Sequence, residues 1–129
     1  MSKVIVDTSV WIQFFNSPQS KEKAELDKLL NSNQVVVAGV IVSELLQGSR
    51  SQKDYGDIED KITVLPYVEV SKDTWIEVGK TSFKLRKQGV TLPLTDILIA
   101  TLAKENNLEV YTLDPHFKKI PKVKLYANA

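Results

Sequence analysis

Four acidic residues of this 129-residue chain are placed where their carboxylates could act together: Asp7, Glu44, Asp96 and Asp114. The first and the last directly follow short apolar runs, and the other two belong to segments with helical spacing. If the short runs are strands of one parallel sheet, the acids at their carboxyl ends project from the same edge. The two acids on the helices can reach that edge as well, so all four carboxylates can converge.

Convergence of four carboxylates would have a direct chemical consequence. Two like charges ~4 Å apart repel by about 4 kcal/mol near a protein surface, so the cluster must take up protons or bind a cation. The chain has no cysteine and a single histidine without an evident partner, and oxygen ligands favour Mg²⁺ or Mn²⁺ over zinc. Such ions suit phosphodiester hydrolysis, in which one activates water and another neutralises charge on the departing oxygen.

Each acid also has a purely structural interpretation. Asp7 and Asp96 could be helix N-caps, a position that aspartate favours. Asp114 precedes Pro115 and could belong to an ordinary turn. Glu44 is the hardest to explain in this way, because a lone glutamate on an apolar helix is rarely buried without a partner. Taken together, the four acids favour a functional interpretation.

The elements that would position these acids alternate along the chain. Apolar, β-branched runs predict strands at residues 3–6, 34–38, 67–70 and 108–113, with a short terminal strand around 123–126. Helical spacing predicts helices near residues 8–15, 19–32, 39–47, 51–64, 71–89 and 96–106. Thr8 or Ser9 can cap the first of them. This alternation predicts an α/β fold: a parallel sheet with helices on both faces and its active site at the carboxyl ends of the strands.

Composition narrows the class of protein. One domain covering residues 1–129 is expected from the length, and 43% hydrophobic with 26% charged residues is ordinary for a globular protein. No apolar stretch resembles a signal peptide or a membrane span, so we expect a cytoplasmic protein. The lack of cysteine excludes disulfides, thiolate zinc sites and thiol catalysis. A net charge of +1 provides no general basic excess for coating nucleic acid.

Four motifs together resemble the PIN-domain ribonucleases, and in particular the VapC-type toxins of toxin–antitoxin pairs. They are V-I-V-D-T-S-V-W-I, V-S-E-L-L-Q-G, T-D-I-L-I-A and T-L-D-P-H-F, in family order and at about family spacing over residues 3–120. The resemblance implies an α/β/α sandwich that cleaves RNA with Mg²⁺ or Mn²⁺. It also implies a VapB-like antitoxin and a homodimer.

Carried over by position, the resemblance makes the four acids the family's metal-binding and catalytic quartet. Ser9 and Thr112 then match small polar residues that orient the ligands or a bound water. Some relatives carry a further acid or amide where this chain has His116, so a second ion is expected to bind weakly or only with substrate phosphate. By itself, a lone histidine near a turn is expected to be a solvated surface residue.

Basic and aromatic residues have two interpretations each. Lysines and arginines that flank the acidic edge could contact RNA phosphates, although most such residues only solvate a surface. The candidates are Lys84, Arg86, Lys87 and Lys118.

Aromatic residues of the first helix are expected in the core. Alternatively, part of this face forms a groove for an antitoxin helix together with a leucine stripe. These residues are Trp11, Phe14 and Phe15, with Leu26, Leu29 and Leu30.

The long helix near residues 71–89 is predicted to bury Trp75, Ile76, Val78, Gly79, Phe83 and Leu85. Trp75 is therefore expected in the core and not as a platform for RNA bases.

The leading hypothesis is an endoribonuclease toxin held inactive by its antitoxin. A PIN domain for RNA maturation or decay remains an alternative, which the lack of an added RNA-binding module disfavours. A receiver-like switch domain would need a second acid beside Asp7, where Thr8 stands. Ser9 likewise excludes a D-x-D phosphatase, and dinucleotide binding lacks its glycine motif.

Overall fold

The computed structural model of this protein describes residues 2–127 and has a four-stranded parallel sheet at its centre. The strands are β1 Val4–Val6, β2 Val35–Ala38, β3 Tyr67–Val68 and β4 Glu109–Tyr111, in the spatial order β3-β2-β1-β4. Val4 lies opposite Val35 on one side and opposite Glu109 on the other. The predicted parallel α/β fold is confirmed.

Six α-helices connect and cover these strands. They are α1 Thr8–Asn16, α2 Lys21–Asn31, α3 Gly39–Gln47, α4 Gln52–Ile62, α5 Lys72–Lys87 and α6 Leu94–Glu105, followed by a 3-10 helix at Pro115–Lys119. The chain steps from β1 through β2 to β3 in one direction and then returns across the sheet to β4. Because parallel crossovers are right-handed, this reversal puts α1–α4 on one face and α5 with α6 on the other.

The two inner strands explain why both faces need covering. All seven residues of β1 and β2 are buried, and most are β-branched. Strand β3 has only two residues and lies at an edge, where the side chain of Tyr67 is exposed. The predicted terminal strand is reduced to a single bridge between Val110 and Leu125. Asp7 directly follows β1, as predicted, whereas β4 ends at Tyr111, three residues before Asp114.

The helix starts fall into two groups. Ser20, Ser51 and Ser71 cap α2, α4 and α5 by accepting a backbone N–H bond through their side chains. By contrast, α1, α3 and α6 have no side-chain cap, and their N-cap positions are Asp7, Ala38 and Pro93. The prediction that Thr8 or Ser9 caps the first helix was therefore wrong, because that helix already begins at Thr8.

Helix α6 is buried over eight of its twelve residues, whereas α5 is amphipathic in a way that the sequence pattern did not predict. Val78 and Leu85 are buried as expected, but Trp75, Ile76 and Phe83 are 54%, 56% and 60% exposed. Gly79 is exposed as well, so the predicted buried side of α5 is right at two positions of six and wrong at four. Helix α5 has a neighbour mainly on the side of α6, so only a narrow stripe of its surface is covered.

Within the described part of the chain, no helix is both long and apolar enough to cross a lipid bilayer.

Candidate active site

The carboxyl ends of β1 and β4 bring two distant parts of the chain together. Val6 lies opposite Tyr111, and the N–H of Asp7 donates to the Tyr111 carbonyl over 2.8 Å, which extends the ladder by one step. The residues after these strands, Asp7 on one side and Thr112 to Asp114 on the other, therefore leave the sheet side by side.

Two hydroxyl groups hold the carboxylate of Asp7. Its Oδ2 accepts hydrogen bonds from Ser9 Oγ and Thr112 Oγ1, both at 2.8 Å. Ser9 Oγ in turn accepts the N–H of Leu113, and Thr112 Oγ1 accepts the N–H of Asp114. Although Asp7 occupies an N-cap position, it accepts no capping bond and is only 6% exposed. Its carboxylate is instead fixed at the sheet edge by partners 2 and 105 residues away.

A compact group of three side chains lies next to this pair. Asp96, in the first turn of α6, has Oδ2 3.0 Å from Nδ1 of His116, and Asp114 has Oδ1 3.2 Å from the same nitrogen. One ligand atom from each residue lies within 4.8 Å of the other two. The N-cap interpretation of Asp96 was wrong, since α6 begins at Leu94 with Pro93 as its N-cap.

Asp114 has both of the roles that the sequence left open. Its Oδ1 accepts the N–H of His116 at 2.9 Å, which starts the 3-10 helix, as the turn interpretation predicts. The same oxygen faces the group of Asp96 and His116. A turn residue is therefore also a member of the acidic cluster.

The electrostatics of Asp96 reflect this crowding. Burial raises the pKa of Asp96, the hydrogen bond from His116 opposes that rise, and the charges of Asp114 and Asp7 raise the pKa further. The three carboxylates thus lie in one field, where a positive charge would relieve their mutual repulsion. Carboxylate oxygens and one imidazole nitrogen are donors that divalent metal ions accept, so Asp7, Asp96, Asp114 and His116 fit the ion expected from the sequence.

Glu44 reaches the same edge by a different route. Its Oε1 accepts a hydrogen bond from Thr8 Oγ1 at 2.8 Å, next in sequence to Asp7. Its carboxylate does not join the compact group of Asp96, Asp114 and His116. The sequence predicts that four carboxylates meet in one pocket. Three of them, Asp7, Asp96 and Asp114, are close enough for their charges to interact, whereas Glu44 lies at the margin of the site.

Glu44 also lines a groove between α1, α3 and α4, with a volume of about 270 Å³. The floor of this groove is apolar, formed by Ile12, Phe15, Leu45 and Ile58, and its rim carries Glu44, Asp54, Asp57 and Arg50. Of the residues proposed from sequence for an antitoxin groove, only Phe15 lines it. Trp11, Phe14, Leu26 and Leu29 belong to the buried core, and Leu30 packs against that core. The leucines of α2 therefore lie on the buried side of this amphipathic helix, and of the alternative groove residues only Phe15 lines the groove.

The basic candidates are divided between two places. Lys118 lines a cavity together with Thr112 and Asp114, beside the acidic cluster. Lys84, Arg86 and Lys87 are exposed in the last turn of α5, where Lys87 lies over the ring of Phe83. Trp75 is exposed, so its expected core position was wrong.

Sequence reasoning missed the position of His116, which it expected in solvent. The ring instead contacts two acids from different elements. The order Asp114-Pro115-His116 was a signal that could have been used. Aspartate followed by proline favours a helical turn, and this turn brings His116 next to the Asp114 carboxylate.

The chain is similar to known proteins of one family. The family model of the PIN domain matches residues 4–123. The chain is 23% identical over 124 residues to VapC ribonuclease Mb1587 of Mycobacterium bovis and to ribonuclease VapC11 of Mycobacterium tuberculosis, an alignment covering 93% of this chain and 92% of each relative.

Solved structures agree on the fold. DNA-bound VapBC from Salmonella typhimurium matches with a TM-score of 0.81 and 21% identity over the full length of both chains. VapBC2 from Rickettsia felis, bound to a promoter DNA fragment, also gives 0.81, with 21% identity over 95% of this chain and 96% of that one. VapC20 of Mycobacterium tuberculosis, described as a sarcin–ricin loop cleaving toxin, gives 0.70 with 16% identity, covering 95% and 98%.

Proposed function

Because this chain belongs to the PIN-domain family, we propose that it is a metal-dependent endoribonuclease and the toxin of a VapBC-type toxin–antitoxin pair. The observation that carries the proposal is the set of buried and half-buried carboxylates at the carboxyl edge of the sheet. Asp7, Asp96 and Asp114 share one electrostatic field there, and a cation would relieve it. The names of the relatives, which are VapC ribonucleases, support the same activity.

Asp7, Asp96 and Asp114 would hold the ion, which we propose to be Mg²⁺ or Mn²⁺. When bound, it would supply positive charge to the scissile phosphate and acidify a water molecule. Ser9 and Thr112 keep Asp7 in one orientation, so no reorganisation is needed when RNA arrives. This preorganisation is the contribution of the protein.

Glu44 is the fourth residue of the proposed site. Thr8 engages its Oε1, and its Oε2 accepts no hydrogen bond from residues 2–127. We assign to this oxygen the acceptance of a proton from the attacking water, with metal binding as its second candidate role. Its position beside Asp7 but outside the compact group suits a proton acceptor.

RNA would approach over Lys118, which shares a cavity with Asp114. A lysine there can hold a phosphate beside the acids. The basic end of α5 (Lys84, Arg86 and Lys87) provides a second phosphate contact in this proposal. Binding should weaken as salt rises, because each contact releases a counterion.

The groove between α1, α3 and α4 is our proposed docking site for the antitoxin. Its apolar floor fits hydrophobic side chains of a peptide segment. Its rim has three carboxylates and one guanidinium, and Asp57 is already paired with Lys53, so Glu44 and Asp54 give the rim a net negative charge. We therefore expect an antitoxin segment that presents apolar side chains flanked by basic ones. The VapBC complexes among the similar structures support a partner of this kind. Both proteins would act in the cytoplasm.

The exposed apolar face of α5 supports a homodimer. Trp75, Ile76 and Phe83 lie within about 100° of one another around the helix, so they form one patch. We propose that two copies bury this patch against each other. Replacing Phe83 with lysine should give a monomer in sedimentation equilibrium, and an unchanged mass would argue against this interface.

The function is tested by incubating purified protein with RNA, with and without Mg²⁺ or Mn²⁺, and mapping the product ends. Asp7→Asn should abolish cleavage while its circular dichroism spectrum stays that of the wild type. Asp73→Asn, at an exposed acid in the first turn of α5, is the matched control and should cleave normally. Full metal-dependent activity of Asp7→Asn would contradict the assignment of the site.

A further inference from the structure

We propose that His116 is itself a metal ligand, through Nδ1, and that it makes this site prefer Mn²⁺ over Mg²⁺. The inference rests on the proposed function, because it concerns the ion of the same site. It goes further by adding a nitrogen donor to a set of ligands that the sequence predicted to be all oxygen.

The first argument is distance. Nδ1 of His116 lies 3.0 Å from Asp96 Oδ2 and 3.2 Å from Asp114 Oδ1. Neighbouring ligands of an octahedral ion with bonds of ~2.1 Å lie about 3.0 Å apart. The nitrogen therefore already stands at the separation from two carboxylates that a shared ion requires.

The second argument is that the ring is held in this place by its own backbone. The N–H of His116 donates to Asp114 Oδ1 at 2.9 Å, and Pro115 precedes it within the 3-10 helix. Phe117, the next residue, is almost fully buried and anchors the turn in the core. The position of the imidazole is thus part of the fold and does not depend on an occasional surface contact.

The third argument concerns what one nitrogen can do with two carboxylates. A single Nδ1–H donates well to one acceptor, yet here the nitrogen is nearly equidistant from oxygens on two elements of the fold. A neutral imidazole lone pair and two carboxylate oxygens can all point at one ion. That arrangement satisfies the three groups together, which a simple ion pair does not.

A nitrogen ligand changes which ion is preferred. Mg²⁺ is a hard cation that keeps oxygen ligands and several waters. First-row transition metal ions also accept imidazole, Mn²⁺ less strongly than Zn²⁺ or Ni²⁺ but more readily than Mg²⁺. Adding one imidazole to two or three carboxylates therefore strengthens binding of Mn²⁺ more than binding of Mg²⁺.

The test uses the fact that His116 is the only histidine of the chain. In protein freed of any histidine tag, with Mn²⁺ bound and no imidazole in the buffer, electron spin echo spectroscopy should detect modulation by a directly bound imidazole ¹⁴N. This measurement on the wild type needs no variant and no RNA. Absence of that modulation in protein that binds Mn²⁺ would overturn the inference.

Calorimetric titration provides the second readout. His116→Gln should lose about tenfold or more in Mn²⁺ affinity, with a much smaller change for Mg²⁺, and His116→Asp should shift the preference toward Mg²⁺. Lys119→Gln, at an exposed residue of the same 3-10 helix to which no binding role is assigned, is the control and should bind both ions as the wild type does. Equal losses for both ions in His116→Gln would mean that the ring only orients the acids, and would refute a ligand role.

The two hypotheses fail separately. If RNA is cleaved with metal but no nitrogen coupling is found, the ribonuclease stands and the ligand role of His116 falls. If Mn²⁺ binds with nitrogen coupling but no RNA is cut, the metal site stands and the proposed activity falls.

Discussion

The two ends of α1 border regions with opposite chemistry. At its start, Asp7 belongs to a polar network in which carboxylates, hydroxyls and backbone N–H groups engage one another. Further along, Ile12 and Phe15 line a groove with an apolar floor and a charged rim. The first region has its partners within the chain, apart from an ion. The second offers a surface that a separate segment could cover.

The comparison shows how one short helix can serve two tasks. The network needs rigid positions, and these come from strand ends whose register is set by backbone pairing. The groove depends on how three helices pack. We therefore expect substitutions in one region to leave the task of the other intact.

The largest effect should come from the network. Asp96→Asn keeps the size of the side chain but removes a negative charge from the cluster, and we expect cleavage to fall by about 10³-fold or more. Affinity for the cognate antitoxin, measured by calorimetry, should stay within about twofold, a change below 0.5 kcal/mol. Loss of antitoxin binding in this variant would break the proposed separation of the two regions.

The groove provides the converse test. Ile12→Gln puts a polar group on the apolar floor without adding charge near Glu44, and antitoxin affinity should fall by about 100-fold, as for a buried interface residue. RNA cleavage by the free toxin should not change. Val64→Gln, at a strongly exposed apolar residue outside the groove, is the control for the loss of an apolar side chain. Equal losses in both variants would argue against the groove as the docking site.

A smaller effect is expected where the network is only loosened. Thr112→Val removes the hydroxyl that donates to Asp7 and accepts from the N–H of Asp114. We expect a loss of about 10-fold in cleavage rate and about 1 kcal/mol in the free energy of unfolding. Thr63→Val, whose exposed hydroxyl bonds only to Glu59, serves as the control. Wild-type kinetics in Thr112→Val would mean that Asp7 needs no orientation.

The pKa of Asp96 predicts the smallest effect, on stability in the absence of metal. Its raised pKa means that the folded protein holds this proton more tightly than the unfolded chain does. The contribution to stability is therefore complete below the ordinary value of 3.8 and is lost as pH rises through the raised pKa.

Urea unfolding of wild type and Asp96→Asn in EDTA at several pH values measures this difference. The variant should gain stability relative to the wild type as pH rises through that window, because only the wild type must bury a charge. Asp60→Asn, at an exposed acid of α4, should show no such divergence. Parallel pH profiles for wild type and Asp96→Asn would mean that folding does not raise the pKa of Asp96.

Sequence alone determined the regular elements and the family. Unbroken runs of β-branched residues marked β1 and β2, because strands that are buried on both faces are apolar at every position. Helix α3 was predicted to its exact bounds, because burial of one face leaves a helical period in the sequence. The acids at the ends of β1 and β4 were predicted to share an edge for a similar reason, since parallel strands align their carboxyl ends.

Only the tertiary structure decided which groups meet. The contact of His116 with Asp96 spans 20 residues, and the hydrogen bond from Thr112 to Asp7 spans 105. The exposed face of α5 and the core position of the α2 leucines likewise depend on which neighbour covers each helix. A periodic pattern reports that a face can be buried, but the partner that buries it is chosen by the crossovers and packing of the whole chain.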